Sequence, residues 1–303
     1  MYRTGLFPFK HEIGRDPIKG AGWSATTRLG YMGEHSIPHR SPEIVILAKN
    51  WERAQAALSL MLDSTSLIDG VLSYADDFCV RPENPEEATL VKGMFPLARD
   101  ALIQTGGLYR AAKIAARASK NKQLAYAISL FRLSAHLHAN HPMDLEPGLF
   151  PYRQRSLNHR DHTRFAYAII TAYAVIEQLG LALNGEAFKN GQWIPAKRAD
   201  LEQRLIKAGV DLSDRALWQI RGGKSRLENK RPPKVQALCK WSKHPIRDCE
   251  VDIVDALADL RWLRSGVGAH NVKDLADRLS VHEVANAQYL ARRLLLARLR
   301  LDS

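Results

Sequence analysis

Along most of the chain, apolar residues recur at the three- and four-residue steps of an amphipathic helix rather than at the two-residue step of a strand. Residues 1–40 are the exception. They are rich in Gly, Pro and His, show no sustained period, and read as an extended N-terminal arm. Ser41-Pro42-Glu43 has the composition of a helix start, with a capping hydroxyl, a proline in the first turn and an acid behind it. It predicts a helix to about residue 62. Further helices are expected over 65–77, 84–104, 108–119 and 122–139, the last stopped by Pro142 and Pro147-Gly148. A strongly apolar helix follows over 162–184. Asn190-Gly191 is the clearest two-residue hairpin signal in the chain. Helices then fit 196–208, 213–220, 233–243 and 249–264. A final one opens at the Ser280/Glu283 capping box and runs to about residue 301. The expected fold class is all-α with at most one short β-hairpin. It divides into the arm (1–40), a helical domain of undefined role (41–150) and a C-terminal helical domain (151–303).

Composition refines this picture. Hydrophobic residues make up 46% of the 303 and charged residues 25%, the balance of a chain that buries a core. The stretch from Phe165 to Ile176 (FAYAIITAYAVI) has only Thr171 as a polar residue, but Glu177 and Gln178 end it. It is short of the roughly 20 residues a bilayer requires, so a buried helix and no membrane association are expected. The three cysteines, Cys79, Cys239 and Cys249, lack Cys-x2-Cys spacing, which excludes a disulfide framework and a Cys-rich zinc site and fits a cytoplasmic location.

Charge adds a partner class. The chain carries 44 Lys+Arg against 32 Asp+Glu, a formal +12. Residues 189–247 hold fifteen of the basic residues and five acids, so most of the surplus sits in one fifth of the length. The densest part is IRGGKSRLENKRPPK, where Arg221, Lys224, Arg226, Lys230, Arg231 and Lys234 are the candidate contacts to a nucleic-acid backbone. Trp193, Trp218, Trp241 and Trp262 lie in or beside this region, either as stacking platforms for bases or as core anchors. Arg110, Lys113, Arg117 and Lys120 form a second basic line on one helical face, which reads as a solvated surface.

Few motifs carry chemistry. Gly223-Lys224-Ser225 has the ending of a phosphate-binding loop, but Trp218 stands where the first glycine belongs. In His136-Leu137-His138, the two imidazoles point about 200° apart on an ideal helix, so neither a metal nor a cofactor is expected there. The histidines of His159-Arg160-Asp161-His162 would face an anion at a helix N-terminus. Five Arg/His pairs have four to six residues between them, and context separates Arg264/His270 from the rest. That pair joins an amphipathic helix, DIVDALADLRWLR, to the segment before the last helix, and Gly266 and Gly268 would let the chain turn sharply between them.

The combination of AYAVIEQLGLAL with the distal LRSGVGAHN resembles the HEPN superfamily, nearest to its Apea-like branch, over about residues 161–303. KNGQWIP and DLEQRLIKAGVD are similar to that branch as well. The resemblance implies a helical bundle of HEPN type and a metal-independent ribonuclease acting as a homodimer on RNA, with a role in defence or growth arrest, as a toxin. Arg264 and His270 match the two positions of the family's Arg-x4–6-His element, and Glu177 stands where an acid is frequent. Ser265 occupies the place where the family usually has Asn, Asp or His. By that resemblance, His270 moves the proton, Arg264 holds the scissile phosphate, Glu177 orients one of them, and the product is a 2′,3′-cyclic phosphate. The same residues also suit a structural pair tying two helices. The alternatives are a non-catalytic module that binds nucleic acid or protein and dimerises, or a scaffold with an inhibitory or regulatory protein partner.

Overall fold

A computed structural model describes residues 1–3, 16–32, 39–69, 81–82, 108–138, 159–189, 192–221, 246–268, 279 and 281–300. Among these residues helix predominates, and the chain divides into two compact units, Met1–Arg132 and Leu133–Ser303.

The first unit departs from expectation at its start. Where an arm and then a helix from Ser41 were expected, five strands form one antiparallel sheet: β1 (Tyr2–Arg3), β2 (Ile18–Gly20), β3 (Trp23–Met32), β4 (His39–Ala48) and β5 (Arg81–Pro82), in the order β2-β3-β4-β1-β5. β3 and β4 pair along their full length, from Trp23 opposite Ala48 to Met32 opposite His39. The physical reason is the β-branched Ile44-Val45-Ile46, whose stiff side chains suit a pleated surface better than a first helical turn. Pro42 stands opposite Leu29 of β3, and among the described residues β1 pairs with β4 at Val45 and Ile46 and not beside the proline.

The helix starts instead at α1 (Trp51–Asp69), and Asn50 is its cap. The Arg53 amide donates to Asn50 Oδ1 at 3.2 Å, and the Ala54 amide to the Asn50 carbonyl at 3.2 Å. α1 runs unbroken through the interruption expected near residue 63. Ser64 and Thr65 turn their hydroxyls back onto the carbonyls of Leu60 and Leu62, so these buried polar groups stay bonded inside the helix. α2 (Leu108–Ala118) packs along α1 and β2, and α3 (Lys122–Leu137) follows, capped by Asn121, whose Oδ1 accepts from Gln123 N–H at 2.9 Å. The helices expected over 84–104 and 233–243 lie outside the described residues.

The second unit is built around α4 (His159–Gln178), α6 (Ile253–Gly268) and α7 (Val281–Arg298), with α5 (Pro195–Lys207) against α6. Gln288 of α7 donates to the Ser134 carbonyl at 3.0 Å, and Ser134 Oγ donates to Ala168 O of α4 at 2.7 Å, so buried polar groups register the end of α3 on the bundle. β6 (Phe188–Lys189) and β7 (Gln192–Trp193) flank Asn190-Gly191 as the antiparallel pair that dipeptide predicts.

A third sheet replaces a predicted helix. Residues 215–221 are strand β8 (Arg215–Arg221), paired antiparallel with β9 (Ile246–Asp252), not the helix expected over 213–220. In RALWQIR the buried Ala216 and Trp218 alternate with exposed Arg215, which is the period of a strand. β9 likewise takes the first residues of the helix expected over 249–264. With three antiparallel sheets, the fold is mainly α-helical rather than all-α with a single hairpin.

No helix among the described residues is long and apolar enough to cross a membrane. Replacing Asn50 with Ala removes the side-chain bond that caps α1. Its unfolding free energy, measured by denaturant titration, is expected to fall by about 1 kcal/mol.

Candidate functional site

The site is set by how α6 is held. Asp252 Oδ1 accepts the Asp255 amide at 2.7 Å and so caps the helix. One face then carries two buried carboxylates four residues apart. Asp255 accepts the Trp193 indole N–H at 2.9 Å, and Asp259 accepts that of Trp218 at 2.7 Å. Trp218 is fully buried and Trp193 half-buried, so these two rings are core anchors and not stacking platforms. Trp262 is exposed, and Trp241 lies outside the described residues. With Asp255 and Asp259 turned inward, Arg261 and Arg264 lie about half a turn round the helix, one turn from each other.

α4 meets that face with Tyr173 and Glu177, also one turn apart. Arg264 Nη2 lies 3.5 Å from Glu177 Oε1, and its guanidinium sits 5.7 Å from the centre of the Tyr173 ring. Both members of the ion pair are about two-fifths exposed, so its net stabilisation is about 0–1 kcal/mol and it can be exchanged for another anion. Tyr173 is buried. Burial pushes its phenol above the ordinary value of 10.0, and Glu177 adds to the rise; Arg261, a backbone bond from Leu183 and Arg264 act against it. The phenol is therefore neutral at physiological pH and able to donate.

The structure thus brings Arg264 and Glu177 together and adds Tyr173 and Arg261, which sequence reasoning missed. The signal was the matched spacing of Tyr173/Glu177 on one helix and Arg261/Arg264 on the other. Ser265 is exposed on α6 beside Arg264. The sharp turn expected at Gly266 is absent, because α6 continues to Gly268; a glycine inside a helix costs only about 1 kcal/mol. His270 lies outside the described residues, two positions beyond the end of α6.

The basic stretch divides in the same way. Arg221 ends β8, while Lys224, Arg226, Lys230, Arg231 and Lys234 lie outside the described residues. Some neighbouring charges are structural. Arg198 binds Glu202 at 2.9 Å and Asp252 at 3.2 Å; burial opposes its charge, but these carboxylates outweigh that and raise its pKa. Arg204 donates to the carbonyls of Gly180 and Ala182 and pairs with Asp200. His138 meets Phe165 with the rings tilted by 54° and their centres 4.7 Å apart. The first unit has an open cleft of about 690 Å³ lined by Trp23, Asn50, Arg53, Asp63, Tyr126 and Ser129, and it contains none of the residues singled out as catalytic.

The charges around Tyr173 make its titration a test of this geometry. A difference titration of tyrosinate absorbance between the wild type and Tyr173→Phe should show a phenol ionising above 10.0. Glu177→Gln should move that ionisation down, and Arg261→Gln should move it up. Since the folded phenol keeps its proton at a pH where an unfolded one loses it, the associated stability is complete below pH 10 and lost as pH rises beyond it. No family model, curated protein or solved structure gives a significant match to this chain.

Proposed function

We propose that this chain is a metal-independent endoribonuclease of HEPN type, working as a homodimer on RNA. The observation that supports it is the seating of Arg264 on α6, against Glu177 and Tyr173 of α4, six positions before His270 in the sequence. A guanidinium held by a weak, exposed ion pair is suited to exchange its carboxylate for a phosphodiester. In the reaction so read, His270 takes the proton from the ribose 2′-hydroxyl as the 2′-oxygen attacks phosphorus. The bond to the 5′-oxygen breaks and that oxygen takes the proton back from the His270 imidazolium, leaving a 2′,3′-cyclic phosphate and a neutral imidazole. Arg264 stabilises the additional negative charge on the phosphorane oxygens. Glu177, displaced from Arg264 by the substrate, is free to orient the histidine.

A second reading is a non-catalytic module that binds nucleic acid or protein and dimerises. Its support is Ser265, which lacks the amide, acid or imidazole usual beside the arginine, together with the Glu177 carboxylate already satisfying Arg264. Incubation with a defined RNA oligomer in EDTA separates the two. Cleavage to cyclic-phosphate ends is expected for the wild type, falling at least about 100-fold in His270→Ala and in Arg264→Ala at unchanged circular dichroism. Cleavage that persists in His270→Ala, or that EDTA abolishes in the wild type, overturns the enzymatic reading. RNA bound but left intact by the wild type favours the second.

A further inference from the structure

The first unit carries a cationic face that the reading above does not use. Residues 108–122 (LYRAAKIAARASKNK), from α2 through the turn to the first residue of α3, contain five basic residues and no acid. Arg110, Lys113 and Arg117 lie on the helix, and Lys120 follows in a turn whose amide still bonds the Arg117 carbonyl at 3.2 Å. On a helical wheel Arg110, Lys113 and Arg117 fall within an arc of about 60°, Lys120 follows just past the helix end, and all four are exposed. The opposite arc, with Ala111, Ala112, Ile114 and Ala115, is buried, and α2 packs there against α1 and β2. Tyr109 lies beside the cations, 45% exposed, with Lys113 Nζ 4.1 Å from its ring centre.

We infer that this face of α2 is a docking surface for the sugar-phosphate backbone of single-stranded RNA. Four features select that partner. From Arg110 to Lys120 the cations span about 15 Å, enough to follow consecutive phosphates of one strand. An exposed ring among cations is what a strand with unpaired bases uses for stacking. The apolar side of α2 is occupied by the unit's own core, so the helix has no face to embed in a bilayer, as an interfacial membrane helix requires. Apart from Tyr109 the exposed arc is cationic, without the apolar centre of a protein interface. The surface lies far in sequence from the basic stretch of the second unit and gives the chain a second grip on RNA.

The test uses the full chain and a fluorescein-labelled 2′-O-methyl RNA oligomer, which has no free 2′-hydroxyl and so reports binding whether or not the protein cleaves RNA. Affinity is followed by polarisation across a salt series. Neutralising the face (Arg110→Gln, Lys113→Gln, Arg117→Gln, Lys120→Gln) should weaken binding at least about tenfold near 0.1 M salt. It should also flatten the slope of log affinity against log salt by about 3, the value for four single-strand contacts. A control with the same loss of net charge, Lys49→Gln, Arg164→Gln, Arg298→Gln and Arg300→Gln, all exposed residues elsewhere, should keep most of the affinity and slope. Equal losses in the two variants, or none in the α2 variant, overturn the inference. So does a loss confined to phosphatidylserine vesicles or polyglutamate assayed in parallel. Because cleavage plays no part in the readout, failure here leaves the ribonuclease proposal standing, and failure of that proposal leaves this one standing.

Discussion

Two buried carboxylates decide how the second unit is arranged. A carboxylate taken out of water is expensive unless its hydrogen bonds are replaced, and the interior penalises any geometry that leaves it bare. Asp255 and Asp259 meet this demand with the indole N–H groups of Trp193 and Trp218, one from the β6-β7 hairpin and one from β8. Arg198 adds a further positive group 3.7 Å from Asp255. Turning α6 by one residue, about 100°, would carry both acids away from their donors. Its rotation is therefore fixed, and with it the direction in which Arg261 and Arg264 project.

The basic residues of the chain are not equivalent in their surroundings either. Several arginines are committed to structure. Arg198 and Arg204 tie α5 to its surroundings, Arg293 bonds Asp214 and the Arg215 carbonyl at the start of β8, and Arg132 approaches Asp63 in the first unit. These are shielded by their partners and by partial burial. The cations of α2 stand on an exposed arc whose reverse side supplies the packing. Formal charge counts buried and exposed cations alike, whereas attraction for a polyanion depends on those at the surface.

Helices with long amphipathic or apolar runs were legible in the sequence: α2, α3, α5 and α7 lie close to their expected bounds, and α4 begins near its own. So was the β6-β7 hairpin, because Asn-Gly suits the tight turn's backbone almost independently of context. The N-terminal sheet was not. Ser41-Pro42-Glu43 satisfies every local requirement of a helix start, yet the β-branched run behind it prefers the pleat, and Asn50 offers a competing cap ten residues on. β8 and β9 were hidden for a related reason. Each is seven residues long and its partner lies on the far side of 222–245, so the pairing that stabilises it is invisible in either segment alone. At the site, Glu177 and Arg264 stood out by resemblance. Tyr173 and Arg261 did not, since a tyrosine in an apolar helix and an arginine in a basic chain carry no local signal until the helices are set side by side.

What the sequence determined by itself was whatever depends on neighbours within a turn or two: the amphipathic helices, the Asn-Gly hairpin, the concentration of charge in 189–247 and the basic line of α2. The tertiary structure alone decided which tryptophans are anchors, which arginines are committed, and that Glu177 and Arg264 meet at 3.5 Å beside a buried phenol. The reason is one of range. Capping, propensity and periodicity are set within a few residues, but the cost of burying Asp255 and Asp259 is met by partners 62 and 41 residues away.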